Sequence, residues 1–369
     1  MIGPVRSRPA KLLALGLAVV ASAEVHAQTS VRVATWNVQA VGAPGSAQYE
    51  AALDVLEHVD ADIVGINEVS SSSDGVHLES LAAAAGYPHL MVAASGPFGA
   101  QRNALLSRFP FAEPAMMHSS ASLSGDPAAN DLTRFLLEAR VDLPGNASDL
   151  TVVTQHWKSG TGNDDEFRRV VESLRIRQAL QDLATATDAY VILGDANEES
   201  DSVPRTPNPF TSLPTGLPAA FELGSDLDAQ LFGPGIENDP FAPLVGIGGA
   251  GATLVAALQL DGLDSTRPAS GRRLDYLAVS AVIGAAGLAA EVYDSRDAGL
   301  PGGLPKSGPS PAASASLDAS DHLLVFADLS VSDASLSAIP ALAPEWSWLA
   351  ALLIGSLALA ALRLERRRG

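Results

Sequence analysis

Residues 190–200 read "YVILGDANEES", and this stretch sets the problem. Tyr190 to Leu193 form an apolar run of strand type, which breaks into Gly194, Asp195, Ala196 and Asn197 with no polar ramp between. Side chains alternate faces along a strand, so Asp195 and Asn197 project the same way if the extended form continues. A tight turn or a helix cap also uses Asp and Asn, and for an isolated fragment that is the commoner use. The remainder of the chain has to decide between a turn and a site.

Working outward, the same pattern recurs. "ATWNV" puts Asn37 at the end of a strand over Val31–Val38, and "ADIVGINEV" (61–69) puts Asn67 and Glu68 at the end of another. "VVTQHWKSG" leaves a strand near 149–157 with His156 and Lys158, and "RRLDYLAVS" places Asp275 in a strand over 272–280. "ASDHLLVF" enters the last strand, 322–330, with Asp321 and His322. One polar pair at a strand end is a turn. Six such segments carrying acids, amides or histidines describe one polar centre assembled from many strand ends, where active sites collect.

Between these segments the spacing predicts helices over 48–59 and 76–85, and a long amphipathic helix over 164–187 with basic residues on one side. Further strands are predicted near 88–94, 103–108 and 134–143. Residues 198–271, rich in Pro, Gly and Asp, read as long loops with short elements, and 294–320 as a mobile Gly/Pro/Ser/Ala loop. Strands mixed with few helices suggest sheets packed on each other with helices outside.

Bulk properties narrow the chemistry. The 369 residues are 47% hydrophobic, enough for a sizeable core, and contain no cysteine, which excludes thiolate zinc sites and a cysteine nucleophile. Arg6, Arg8 and Lys11 precede the apolar run 12–21, followed by small-x-small sites ending at Ala23 and Ala27: the layout of a secretory signal peptide over 1–27. At the other end Trp346 to Leu362 is apolar and Arg363, Arg366, Arg367 and Arg368 follow, at the short limit of the roughly 17–25 residues a spanning helix needs. That charge orients the tail to the cytoplasm and the body outside. Both ends therefore predict an exported body, 28–335, with the tail 336–369 as a membrane address. The stretch "AIPALAPEWSWLAALLIGSLALAALRLERRRG" also resembles tripartite bacterial C-terminal sorting signals, which open with a Pro-containing motif, continue with a helix and close with arginines; such a tail is transient, removed on sorting.

The whole chain carries −19; three positives against one negative in 1–27, and four against two in 345–369, leave −23 for the body. That field repels polyanions over a Debye length of about 8–10 Å and argues against a basic nucleic-acid-binding surface. It suits a site that concentrates divalent cations. Carboxylate and carboxamide oxygens without cysteine favour Mg²⁺, Mn²⁺ or Ca²⁺ over zinc. Histidines can donate to phosphate oxygens, and an Asp beside an Asn can orient and deprotonate water. The residues thus point to metal-assisted hydrolysis of a phosphate ester.

The ordered series "TWNV", "DADIVGINEV", "NALLSRFP", "TQHWKSG", "ILGDANE", "RRLDYLAVS" and "SDH" resembles the endonuclease/exonuclease/phosphatase superfamily over about residues 31–331. Its members include DNase I-like nucleases, AP endonucleases, bacterial sphingomyelinases and inositol-polyphosphate 5-phosphatases. The resemblance implies a four-layer α/β sandwich, two mixed β-sheets face to face between helices. It implies Glu68 as principal metal ligand, with Asn37 and Asp321 helping directly or through water. It makes Asp195 the residue that orients or deprotonates water and Asn197 the amide that holds water and phosphate. His322 would contact the scissile phosphate, oriented by Asp275. His156 would be a second phosphate-contacting histidine that can protonate the leaving oxygen. Lys158 reads equally as a further phosphate contact or a solvated lysine, and Asn103 as structural, placing its strand beneath the site. Each residue also has a local use: a turn for Asn37, a cap for Glu68, an ion pair with Arg272 or Arg273 for Asp275. The acidic loop residues Asp226, Asp228, Glu237 and Asp239 lack the spacing of a Ca²⁺ loop.

Three functions fit. The first is an exported, metal-dependent, DNase I-like nuclease or phosphodiesterase acting as a monomer with no protein partner implied. The second is a sphingomyelinase-like phospholipid phosphodiesterase, which needs exposed aromatics; only the dispersed Phe210, Phe221, Phe232 and Phe241 are candidates. The third is an inactive binding module, against which the intact site series counts.

Overall fold

The computed structural model describes residues 28–145, 149–181, 183, 188–200, 210–232, 239–245, 250–284 and 288–332. The signal-peptide and tail segments, and Glu237, lie outside these residues. No helix among the described residues is long and apolar enough to cross a membrane.

In chain order the elements are β1 (Gln28–Asn37), α1 (Ala47–Val59), β2 (Ile63–Val69), α2 (Ser72–Ala84), β3 (His89–Val92), β4 (Arg102–Ser107), β5 (Met116–His118), α3 (Ser120–Ser124), β6 (Leu136–Val141), β7 (Leu150–His156), α4 (Asn163–Ala179) and β8 (Tyr190–Asp195). Then follow α5 (Asp228–Leu231), α6 (Ala242–Val245), β9 (Ala252–Leu254), β10 (Asp275–Ser280), α7 (Ala281–Gly284), β11 (Ala289–Tyr293), α8 (Ala315–Ala319) and β12 (Leu324–Ser332).

The strands form two six-stranded sheets, ordered β11-β12-β1-β2-β4-β3 and β5-β6-β7-β8-β10-β9. Each is mixed: β1 runs parallel to β2 and β7 parallel to β8, while their other pairings are antiparallel. One buried cluster takes Val33, Ile63, Leu105 and Val325 from the first sheet and Val152, Val191, Leu193 and Leu277 from the second, so the sheets pack face to face. Gly65 marks how close they come, since a Cβ there would lie 2.6 Å from Leu193 Cδ1. Burying such apolar side chains on both faces is the main driving force for the layering. The outer face of the first sheet is covered by α1, α2 and α8, and that of the second by α4 and α6, completing the four-layer sandwich.

Local chemistry sets the helix starts. Ser46 caps α1 by accepting from Tyr49 N–H, and Ser71 with Asp74 closes a capping box on α2. The Ser-rich turn after Glu68 is therefore capped by Ser71, not by the Glu68 carboxylate. Two stretches depart from the sequence reading. The helix expected over 164–187 ends at Ala179, where Gln181 and Leu183 N–H bond to carbonyls three residues back and tighten the chain into turns. Its basic side faces inward: Arg168, Arg169 and Arg175 are buried, and Arg175 is held by Asp131 and Asp226. The stretch 294–320, expected as a mobile loop, contains α8; its small residues Ala315 and Ala319 join the α1 cluster, and Ser295 and Ser316 exchange hydrogen bonds at 3.0 Å.

Candidate active site

Strand direction brings the polar ends together. The parallel pair β1 and β2 finishes side by side, with Asn37 opposite Asn67. The parallel pair β7 and β8 finishes with His156 opposite Asp195, and antiparallel β10 begins with Asp275 opposite Asp195. Because β12 is antiparallel to β1, its entry, with Asp321 and His322, returns to the same edge. His156, Asp195 and Asp275 thus form a row across three neighbouring strands of one sheet, and the other sheet supplies Asn37, Glu68 and His322.

Asn67 fastens the two sheets at this edge. Its Oδ1 accepts from Asp195 N–H at 2.9 Å, and its Nδ2 donates to Gln155 O at 2.8 Å and to Asn103 Oδ1 at 2.9 Å. Asn103 donates onward to Phe135 O, in keeping with the structural role expected for it. The turn reading and the site reading of residues 190–200 are both realised. Asp195 Oδ1 accepts from Asn197 N–H at 2.7 Å, an Asx turn, while Oδ2 accepts from Asn37 Nδ2 at 3.0 Å. The strand does not continue to Asn197 as expected. Gly194, at φ +143, has no room for a Cβ against Gln155 O, and Asn197 is left-handed at φ 52, with Nδ2 donating to Trp157 O. Its amide is therefore aimed by the turn and not by strand alternation.

Two histidines meet this row in different ways. His322 Nδ1 lies 2.7 Å from Asp275 Oδ2, which also accepts from Thr266 Oγ1 at 2.6 Å. Burial opposes charge on His322, but Asp275 outweighs it through charge and hydrogen bond, with Asp195 and Asp321 adding, and raises the imidazole to about 9. His156 Nε2 lies 3.5 Å from Asp195 Oδ2 and 3.8 Å from Glu68 Oε1, and neither ring nitrogen has a hydrogen-bond partner among the described residues. Those spacings would suit an ion pair only if the ring were charged. Complete burial, then the positive charges of Arg134 and His322, hold it well below the ordinary range, so it is neutral. These surroundings do not favour His156 as the donor of a proton to the leaving oxygen; of the two rings, they favour the proton on His322. Burial, then the facing Asp275, push the Asp195 carboxyl up, which raises its basicity.

Glu68 lies within a bulge of the β2–β4 pairing, between Ile66 and Val69, and is itself left-handed at φ 67, which turns its side chain into the site. Burial raises its carboxyl, against an opposing hydrogen bond from Asn37 and the charges of Arg134 and His322. Asp321 belongs to the same environment but is paired with Arg267 at 3.0 Å. Asp275 does not pair with Arg272, which meets Glu199, or with Arg273, which donates to Val255 O. Lys158 is not brought into the cluster: its ammonium is held by Asp165 at 2.7 Å and by Ser159 O, so the surface reading of that residue prevails.

Some residues of the site carry no motif signal. Arg134 is buried beneath it, donating to His156 O at 3.3 Å, Trp157 O at 3.1 Å and Gln101. Thr266 Oγ1 accepts from Leu274 and Asp275 N–H while donating to Asp275, and so fixes the carboxylate. Trp36 Nε1 and Ser320 Oγ fix the backbone around His322. Only a polar residue entering the apolar "LTRFLL" segment hinted at Arg134; Thr266 gave no signal.

With two mixed sheets and this edge in view, comparison with known proteins is direct. The model of the Endonuclease/Exonuclease/phosphatase family matches residues 34–322. The chain belongs to the endonuclease/exonuclease/phosphatase family. It is accordingly a hydrolytic phosphoesterase of the DNase I-like fold. An endonuclease/exonuclease/phosphatase from Beutenbergia cavernae is 22% identical, covers 82% of this chain and 72% of its own, and superimposes with a TM-score of 0.50. A family protein from Bacteroides vulgatus is 15% identical over 82% of this chain and 99% of its own, TM-score 0.49. A beta toxin mutant from Staphylococcus aureus, solved with bound magnesium ions, is 16% identical over 81% of this chain and 99% of its own, TM-score 0.48. The search of curated proteins gave no match.

Members of this endonuclease/exonuclease/phosphatase family use divalent metals, and the residues present fit one. One ligand atom each from Asp195, Asp275 and His322 lies within 4.8 Å of the others. Distance alone would allow an ion among them, but His322 Nδ1 and Asp275 Oδ2 already meet in a 2.7 Å hydrogen bond and engage each other. Glu68 fits better: a largely buried carboxylate with no arginine or lysine in ion-pair range among the described residues, beside Asn37 and Asp321. An all-oxygen set of this kind suits a hard cation.

Proposed function

We propose that the protein is an exported phosphodiesterase that uses Mg²⁺ or a similar divalent ion, with nucleic acid as the substrate class. The observation that carries this reading is the row His156–Asp195–Asp275, with His322 and Glu68 facing it at one sheet edge. Glu68, Asn37 and Asp321 are the residues that would hold the ion. When bound, it supplies positive charge to a phosphoryl oxygen and to the leaving group. Asp195, with its carboxyl raised, takes a proton from water as the water oxygen bonds to phosphorus. Asn197 and the neutral His156 orient water and phosphate. His322, protonated and held through Nδ1 by Asp275, offers its other ring nitrogen to the phosphate and gives its proton to the leaving oxygen as the P–O bond breaks. Asp195 then releases its proton to solvent and His322 regains one.

The loop phenylalanines do not favour the lipid alternative: Phe210, Phe221 and Phe241 are buried, and the half-buried Phe232 stacks on Phe167 at 6.0 Å. Export and the membrane address rest on residues 1–27 and 336–369. The test is hydrolysis of plasmid DNA, RNA, sphingomyelin and a bis-aryl phosphodiester with Mg²⁺, with Mn²⁺ and with EDTA. Metal-dependent cleavage of nucleic acid and the aryl diester is expected. Cleavage of sphingomyelin alone would replace the substrate class, and no cleavage with any metal would overturn the reading.

A further inference from the structure

Beside the site, sharing Asp321 with it, lies a cleft of about 460 Å³. Its lining includes Ser320 and Asp321, immediately before His322. Gln39 forms part of another wall, and its N–H bonds to Asn37 Oδ1 at 3.0 Å. A group attached to a phosphate held at His322 therefore reaches this cleft within a few bonds. The volume lies inside the roughly 300–1,000 Å³ of small-ligand clefts.

The lining has a defined chemistry. Gln39 is left-handed at φ 57, a conformation a residue of this kind rarely adopts outside functional turns. Its side-chain amide makes no hydrogen bond with the described residues and is exposed to the cleft. Gln48 is pinned there: its Nε2 donates to Ala40 O at 3.0 Å and Ala319 O at 3.1 Å, leaving Oε1 as a fixed acceptor. Arg296 lines the cleft and is held against Asp294 by several hydrogen bonds. Pro268 and the 41%-exposed Leu317 supply apolar surface.

We propose that this cleft binds one unpaired nucleobase of the substrate, next to the scissile phosphate, with Gln39 and Gln48 reading its edge. This rests on the phosphodiesterase reading above and narrows it. A flat ring with donors and acceptors on its edge uses every feature: apolar faces against Leu317 and Pro268, stacking on the guanidinium plane, and the two amides. An alkyl chain would desolvate both amides without replacing their hydrogen bonds. A second phosphate is disfavoured by Asp318 and Asp321 in the lining. A base inside a duplex reaches such a cleft only after unstacking, which costs a few kcal/mol, so single strands are the preferred form. The −23 body charge agrees, since it opposes close approach of a long, densely charged duplex.

The test is steady-state kinetics of the full chain with Mn²⁺ on three substrates: methyl 4-nitrophenyl phosphate, a dinucleoside monophosphate, and one oligonucleotide offered single-stranded and as a duplex. Gln39→Gly removes the amide without backbone strain, and Leu317→Trp fills the cleft from an exposed position. The wild type is expected to prefer single strand to duplex, and each variant to raise KM for the dinucleoside about tenfold, the scale of one or two lost specific contacts. Turnover of the methyl ester, which carries no base, should persist in both. Unchanged dinucleoside KM in both variants, or preference for duplex, overturns the proposal. Loss of all activity in Gln39→Gly would indicate a disturbed Asn37 turn, and Leu317→Trp then decides. A wild type inactive on the methyl ester as well as the nucleotides defeats the phosphodiesterase reading itself, and the base site with it; one active on the methyl ester but not on nucleotides defeats the base site alone.

Discussion

The molecule contains two buried Asp–His pairs a few ångströms apart, and they end in opposite states. Asp275–His322 is a 2.7 Å hydrogen bond with Thr266 fixing the carboxylate, and its imidazole is raised to about 9. Asp195–His156 is a 3.5 Å contact without a hydrogen bond, and its imidazole is lowered. Burial is severe in both. The difference lies in how each ring is held. His322 is hydrogen-bonded to Asp275, with Asp195 and Asp321 adding. His156 is fully buried, meets Asp195 and Glu68 only at 3.5 and 3.8 Å without a hydrogen bond, and feels the charges of Arg134 and His322. Placing a charged ring beside a neutral one separates acid from base within one pocket, because the first charge forbids the second.

The sharpest way to break this contrast is Asp195→Asn. The base role predicts a loss of about 10²–10⁴ in turnover that added metal does not restore. Both Asp195 oxygens are acceptors, so the new amide must turn N–H₂ toward one donor; a stability loss of about 1–3 kcal/mol, read as a melting shift, accompanies it. A folded variant with near-normal turnover would return "ILGDANE" to the turns.

Asp275→Asn attacks the other pair. It takes away the anion that keeps His322 charged, and turnover is expected to fall on the order of 10², the lower end of acid–base effects. Nitrogen NMR of the rings should show His322 protonated and His156 neutral near neutral pH in the unaltered protein. Two neutral rings would remove the contrast altogether.

Glu68→Gln lies outside both pairs. Its defect should be in ion binding, about 10- to 100-fold in metal affinity, and turnover measured against metal concentration should recover at high metal. Failure to recover would give Glu68 a part in the chemistry. Lys158→Ala is expected to do least. Its partially exposed pair with Asp165 is worth about 0–1 kcal/mol, and turnover should stay within about twofold. A large loss would restore the phosphate contact that the structure withholds.

The strand-end residues were legible because site chemistry interrupts apolar periodicity, as in "VGINEV" and "ILGDANE". What stayed hidden works through the backbone or from loops. Arg134 acts by holding the carbonyls of His156 and Trp157, and Thr266 by bracketing Asp275 from nine residues away. The mobile-loop reading of 294–320 missed α8 because small residues signal disorder by composition but permit close packing once α1 is in place.

The sequence by itself determined that sheets pack on each other, that polar groups gather at strand ends, and the identities of the acids, amides and histidines there. These follow from strand periodicity and from which side chains can serve a phosphate. Only the tertiary structure decided which histidine meets its carboxylate in a hydrogen bond, that Asn197 is aimed by a turn, that Lys158 pairs with Asp165, and that Phe210, Phe221 and Phe241 are inside. A protonation state or an exposure is a property of what surrounds a residue, and those surroundings come from segments hundreds of positions apart that no local pattern encodes.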